Sequence, residues 1–147
     1  MQCLTPKSMA ELSGALAQAT PATRILAGGT DYVLHERKGD FTPDLLIYPG
    51  AIPELHQISL TDDGLTIGAM VTMREIADAL SSVPAYRAIA DMAANVGSPQ
   101  IRAKGTMAGN LCNASPAGDM LPVSWLYDAQ LELMNADGTA SVTPVNG

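Results

Sequence analysis

Two stretches of the chain carry residue types from which a binding site can be built. The first is Ile25-Leu26-Ala27-Gly28-Gly29-Thr30-Asp31. An apolar run that breaks at paired glycines and enters a helix leaves the first backbone N–H groups of that helix unpaired, aimed at whatever sits above the turn. An anionic group fits there, because glycine lacks a Cβ, accepts positive φ and lets the main chain approach a phosphate. Neither the G-x-G-x-x-G spacing of a Rossmann turn nor a P-loop is present. A plain strand-to-helix turn remains the alternative reading. The second stretch is Gly105-Thr106-Met107-Ala108-Gly109-Asn110-Leu111-Cys112-Asn113-Ala114-Ser115-Pro116-Ala117-Gly118-Asp119. It is polar and rich in small residues between two apolar stretches, so it is expected to be a long loop tucked into the fold, of the kind that usually carries function. Thr106, Asn110, Asn113, Ser115 and Asp119 supply hydroxyl, amide and carboxylate groups enough for a polyol or ribose chain and a pyrophosphate, with Asp119 accepting from sugar hydroxyls. A surface loop of Asx turns is the alternative.

The rest of the chain offers less chemistry. Eight Lys and Arg stand against fifteen Asp and Glu, a net charge of −7, so the cationic surface of a non-specific nucleic-acid binder is missing. Cys3 and Cys112 have no Cys or His at ligand spacing, and any metal chemistry is expected on a partner rather than on this chain. Cys112 reads as a small buried side chain and not a redox centre. His35 reads as part of a solvated helix face, His56 has no partner pattern, and Met70, Met73, Met92, Met107, Met120 and Met134 read as core filler. No Ser/His/Asp or Cys/His constellation can be assembled, so no catalytic side chain is expected. The N-terminus carries no secretory pattern and no apolar run approaches the roughly 20 residues of a membrane span, which makes the cytoplasm the expected compartment.

The elements that must position the two stretches follow from punctuation by Gly, Pro and Asp. At 47% hydrophobic and 16% charged over 147 residues, the chain has the composition of one packed domain. Ser8 and Glu11 form a capping-box pattern ahead of a helix over residues 9–19. Residues 24–27 read as a short buried strand, followed after the glycines by a helix capped by Thr30 or Asp31 that stops at Gly39. Residues 45–48 read as a second buried strand, which makes a βαβ unit with parallel pairing. Beyond residue 56, Asp63-Gly64 marks a hairpin between residues 57–60 and 65–68, and Asp137-Gly138 marks another near the C-terminus. Thr72 and Glu75 form a second capping box for a helix through Leu80, another helix is expected over residues 85–95, and Ser98-Pro99 opens a helical turn through Arg102. The expected fold class is α+β: a small parallel lobe over residues 1–55, then a larger, mainly antiparallel lobe with helices over residues 56–147.

Taken together, Ala27-Gly28-Gly29-Thr30-Asp31, Gln100-Ile101-Arg102-Ala103-Lys104-Gly105-Thr106-Met107-Ala108-Gly109-Asn110 and Ala114-Ser115-Pro116-Ala117-Gly118-Asp119 resemble the flavoprotein subunit of molybdenum hydroxylases, the FAD-carrying subunits or domains of xanthine dehydrogenase, carbon monoxide dehydrogenase and their relatives. The resemblance runs from the N-terminus to about Val145. It implies an FAD-binding domain of the PCMH or vanillyl-alcohol-oxidase-like type, whose two lobes clasp an extended FAD. It also implies that Ile25, Leu26, Ala27, Gly28, Gly29, Thr30, Asp31 and Tyr32 form the first pyrophosphate-binding turn. Thr106, Gly109 and Asn110 then belong to the second, Asp119 holds a hydroxyl of the cofactor, and Ile101 and Ser115 touch the flavin side.

The chain departs from the resemblance at Ala108, where the family usually has glycine; a requirement for positive φ there would weaken binding. Members also continue past Gly147 with more of the FAD domain and a separate C-terminal domain, so the chain is expected to be an incomplete FAD-binding domain whose uncovered face is closed by something else. The function implied is an FAD-carrying electron-transfer subunit that accepts electrons from [2Fe-2S] clusters of an iron-sulfur subunit, itself served by a molybdenum-cofactor subunit, and passes them to NAD, oxygen or another acceptor. The competing readings are a stand-alone flavin oxidoreductase of the same fold and a non-catalytic assembly module that has lost FAD.

Overall fold

In the computed structural model, which describes residues 1–145, three short strands, β1 (Gln2–Leu4), β2 (Arg24–Ile25) and β3 (Leu45–Ile47), pair in parallel in the order β1-β3-β2. β3 is central and buried at every residue, which is why it appears in the sequence as an unbroken apolar run. Helix α1 (Met9–Leu16) leads into β2, and α2 (Tyr32–Lys38) connects β2 to β3, so the expected βαβ unit is present. β1, not anticipated from the sequence, adds the far edge.

Local chemistry explains most of these boundaries. The Ser8 hydroxyl accepts the Glu11 N–H at 3.2 Å, but the Glu11 carboxylate takes the Lys7 N–H at 2.8 Å instead of that of Ser8, a capping box displaced by one residue. The helix stops earlier than expected because the Gln18 and Ala19 N–H groups turn to the carbonyls of Ala15 and Leu16 three residues back. α2 ends where Gly39 takes φ 77°. β2 is shorter than the apolar run, and Ile25, on a two-residue strand at the edge of the sheet, is 59% exposed and not buried as expected.

Beyond residue 56 all strand pairing is antiparallel, in two separate hairpins: β4 (Ile58–Thr61) with β5 (Gly64–Ile67), and β6 (Gln130–Met134) with β7 (Ala140–Pro144). Gly64 pairs with Thr61, which places Asp62 and Asp63 at the tip of the first hairpin and shifts the expected Asp63-Gly64 turn by one residue. Five helices accompany these hairpins, two more than the sequence led one to expect: α3 (Met73–Leu80), α4 (Arg87–Asn95), α5 (Pro99–Arg102), α6 (Met107–Cys112) and α7 (Met120–Leu126). Two-stranded hairpins bury too little to form a core alone. The core here is helical: Met73, Ile76 and Leu80 of α3, Ile89, Ala90 and Ala93 of α4, and Met120 and Val123 of α7 form one buried cluster. A second cluster joins Leu12 and Ala15 to Leu45, Ile47 and Ile52 under the parallel sheet, and Met134 of β6 packs against it. Each fully buried Ile, Leu, Val or Met side chain among them contributes roughly 1.5–3 kcal/mol. The methionines behave as expected, with Met70, Met73 and Met120 inside, whereas Cys112 is exposed and not buried. Among the described residues, no helix is long and apolar enough to cross a membrane.

Candidate functional site

The first turn leaves the sheet at Leu26, whose N–H donates to the Ile47 carbonyl at 2.9 Å. From residue 27 to residue 32 no backbone N–H donates to a protein acceptor among the described residues; the next one, of Val33, returns to the Gly29 carbonyl. Asp31 occupies the capping position of α2, but its carboxylate makes no capping bond. The two glycines serve different needs. Gly29 has φ 72°, a conformation that an L side chain strains, whereas Gly28 is needed for space. A Cβ on Gly28 would overlap the Lys104 carbonyl oxygen and come within 2.9 Å of the Gly105 Cα. The first turn is therefore seated, backbone on backbone, on the second.

The second turn is held from several sides. The Ile101 carbonyl accepts the Gly105 N–H at 2.6 Å, closing the chain after α5. Thr106, only 3% exposed, caps α6 by accepting the Gly109 N–H at 3.0 Å. Thr106 also bridges in antiparallel fashion to Thr72, and the Met73 N–H donates to the Gly105 carbonyl at 2.9 Å. A Cβ on Gly109 would lie 2.9 Å from the Thr106 hydroxyl and 3.7 Å from the Ala27 Cβ, and one on Gly105 would lie 3.7 Å from the Thr30 hydroxyl. Ala27, Gly28 and Thr30 thus meet Lys104, Gly105 and Gly109, contacts between stretches some eighty residues apart in sequence. Ala108 lies within α6 and is not among the residues with positive φ, so its methyl group is tolerated.

The expected long loop over residues 105–119 contains a six-residue helix, α6. Asn110 on α6 uses its side-chain oxygen to accept the Met120 N–H at 3.2 Å, tying α6 to the start of α7. Ser115 accepts the Ala117 N–H at 3.3 Å in a local turn. Asp119 stands exposed at the capping position of α7 with no capping bond of its own. Ile101, on α5, is 38% exposed and packs its side chain near Gly97. Tyr32 opens α2 with its ring 5.2 Å from that of Phe41, and burial together with the adjacent Glu36 carboxylate raises its phenol above the ordinary value.

Where the turns meet, a cleft of about 470 Å³ opens, lined by Leu26, Ala27 and Gly28 from the first turn, by Ala103, Lys104 and Thr106 from the second, and by Tyr48, His56, Met70, Thr72 and Glu75 opposite. Of the residues expected at the site, Leu26, Ala27, Gly28 and Thr106 line the cleft, whereas Ile25, Gly29, Thr30, Asp31, Tyr32, Ile101, Gly109, Asn110, Ser115 and Asp119 lie outside this lining. The facing wall was not singled out from the sequence: Thr72 and Glu75 read only as helix caps, and His56 as a residue without a partner. In the structure His56 hydrogen-bonds the Gly50 carbonyl through Nε2 at 3.0 Å. Glu75 is held below the ordinary carboxylate value by hydrogen bonds from the Thr72 N–H and hydroxyl and by nearby His56. Among the described residues, no group of three His, Cys, Asp or Glu side chains is arranged to hold a metal ion.

Comparison with known proteins places the chain in a family. Residues 1–145 match the family described as FAD binding domain in molybdopterin dehydrogenase. The nicotinate dehydrogenase FAD-subunit of Eubacterium barkeri is 36% identical over 137 residues, 91% of this chain and 46% of the relative. The xanthine dehydrogenase FAD-binding subunit of Escherichia coli O157:H7 is 32% identical over 130 residues, 86% of this chain and 44% of the relative. Among solved structures, the reconstituted CO dehydrogenase from Oligotropha carboxidovorans superposes with a TM-score of 0.89 at 28% identity, covering 99% of this chain and 50% of that one. Carbon monoxide dehydrogenase from Hydrogenophaga pseudoflava, lacking the Mo-pyranopterin moiety, gives 0.87 at 28% identity over 100% of this chain and 51% of that one. The chain thus spans about half the length of each of these four relatives.

Proposed function

From the premise that this chain belongs to the family of FAD binding domains in molybdopterin dehydrogenases, we propose that it is the FAD-carrying electron-transfer subunit of a molybdenum-containing hydroxylase or dehydrogenase. In this reading it works in the cytoplasm, accepts electrons from the [2Fe-2S] clusters of an iron-sulfur subunit, and delivers them to NAD, oxygen or another acceptor; a third subunit carries the molybdenum cofactor. The names of its relatives, FAD subunits of nicotinate and xanthine dehydrogenases, favour this class.

The observation that carries the proposal is the seating of Gly28 on Lys104 and Gly105 beside the unpaired N–H groups of residues 27–32. That donor set fits a pyrophosphate: in a protein of net charge −7 the backbone dipoles of the first turn face the anion, with Lys104 also lining the cleft. Residues 25–32 would hold one side of the pyrophosphate, and Thr106, Gly109 and Asn110 the other. Asp119 would accept from a hydroxyl of the cofactor, and Ile101 and Ser115 would face the flavin. Bound FAD supplies the redox chemistry, and the chain binds and orients it with no side chain acting as acid or base. The lobes of the clasp, of the PCMH or vanillyl-alcohol-oxidase-like type, would be residues 1–55 and 56–147, the last two of which lie outside the described residues. With Ala108 accommodated inside α6, the substitution gives no ground for a module that has lost FAD.

Purification of the chain with the proteins that accompany it, followed by a visible spectrum, tests the proposal. A yellow complex with releasable FAD and iron–sulfur absorption is expected. Flavin on the chain without any partner would favour a self-contained oxidoreductase, and a colourless protein that takes up no added FAD would overturn the assignment.

A further inference from the structure

The wall facing the two turns shows how the second turn is kept in place. Glu75 Oε2 accepts both the Thr72 N–H at 2.8 Å and the Thr72 hydroxyl at 2.7 Å, while the Glu75 N–H returns to the Thr72 oxygen at 3.3 Å. Thr72 is therefore fixed in extended backbone, φ −79° and ψ 158°, by a neighbour on the first turn of α3. That extended residue is the one that bridges Thr106, and the next N–H along, of Met73, holds the Gly105 carbonyl at 2.9 Å. Gly105 in turn forms the floor on which Gly28 rests. Two hydrogen-bonded links joined by the Thr72–Met73 peptide, Glu75 to Thr72 and Met73 to Gly105, connect the Glu75 carboxylate to the backbone on which Gly28 rests. An isolated bridge of this kind lacks the flanking ladder that keeps a strand extended, so its geometry depends on what fixes Thr72.

We propose that Glu75 is a positioning residue for the FAD site: by clamping Thr72 it sets the Thr72–Thr106 bridge and so holds the second turn against the first. The inference rests on the FAD reading for its ligand and on the hydrogen bonds alone for its mechanics. Glu75 acts through Thr72, and its contribution is that of an acceptor oxygen, which a glutamine at the same helix position also provides.

The test uses the full-length chain in its complex, stripped of flavin and titrated with FAD by fluorescence, alongside amide hydrogen exchange at Met73. Glu75→Ala should weaken FAD binding by about five- to tenfold, the equivalent of a lost helix cap, and should speed exchange at Met73. Glu75→Gln should stay within about twofold of the parent, since the acceptor is restored. Ser8→Ala, which removes the cap of α1 at similar cost to stability, should leave FAD affinity unchanged. The proposal is overturned if Glu75→Ala binds FAD normally, if Ser8→Ala loses as much affinity, or if Glu75→Gln fails like the alanine variant. Should the unsubstituted chain take up no FAD, the functional reading falls by itself, and exchange at Met73 alone decides the clamp: unchanged protection in Glu75→Ala refutes it.

Discussion

Helix α2, which follows the first turn, buries none of its residues, and Val33 and Leu34 are exposed on it. Helix α6, which follows the second, is capped by Thr106, bridged through Thr106 to Thr72 and tied through Asn110 to α7, whose Met120 is fully buried in the helical core. The first turn offers N–H groups without protein acceptors, whereas in the second the Gly109 and Asn110 N–H groups are already taken by Thr106, and the two turns have very different support. A turn with six unpaired N–H groups and little packing of its own is poorly determined in isolation. Pressed onto a turn anchored to the core, it acquires a defined geometry. The lightly held half supplies the donors, and the firmly held half supplies their position.

That contrast can be broken most severely at the seam. Gly28→Val forces the first turn off the Lys104 and Gly105 backbone, and FAD content measured after gel filtration should fall to background, with a stability loss of roughly 1–3 kcal/mol in thermal melts; a yellow, normally stable variant would show that the seam does not build the site. Asp119→Ala should lower FAD affinity by about 1–3 kcal/mol in equilibrium titration, through the hydroxyl left without an acceptor, while leaving the melt unchanged because Asp119 caps nothing. Asn110→Ala probes the anchored half: losing the acceptor for the Met120 N–H should cost about 1 kcal/mol of stability, and Asn110→Asp, which keeps the oxygen, should recover most of it. The smallest effect is expected of Ala108→Gly, where a helical residue gains freedom it does not need. Stability should drop by about 0.5–1 kcal/mol with no gain in FAD affinity, whereas tighter binding would mean that α6 must unwind at that position to receive its ligand.

Much of this arrangement was legible in the chain. The full capping box of Thr72 and Glu75, the Ser98 cap followed by Pro99, the left-handed stop at Gly39 and the Asp137-Gly138 hairpin all appear as read, because each is decided by bonds within a few residues. The misread elements are those that neighbours far along the chain decide. Ile25 looked like a core strand residue but is exposed, since a two-residue strand at the edge of the sheet shows that side to solvent. Residues 107–112 looked like loop because Gly, Asn and Cys are poor helix formers, and the helix exists through Thr106, Asn110 and their partners. Helix α7 and strand β1 went unread for a similar reason: both are short and make sense only against the core or β3.

The candidate site divides along the same line. The sequence by itself determined the donors: paired glycines after a strand, a polar stretch over residues 105–119, and an acidic chain that must hold an anion by its backbone. It could not show that Gly28 and Gly29 are glycine for unlike reasons, one for a close approach and one for φ 72°. Nor could it bring Tyr48, His56 and Glu75 to the same cleft. Positive φ and helix caps are properties of a few consecutive dihedrals, written locally. The overlap of a Cβ with the Lys104 carbonyl, and the bridge from Thr72 to Thr106, exist only once two distant stretches have been packed together, and that packing is decided by the tertiary fold.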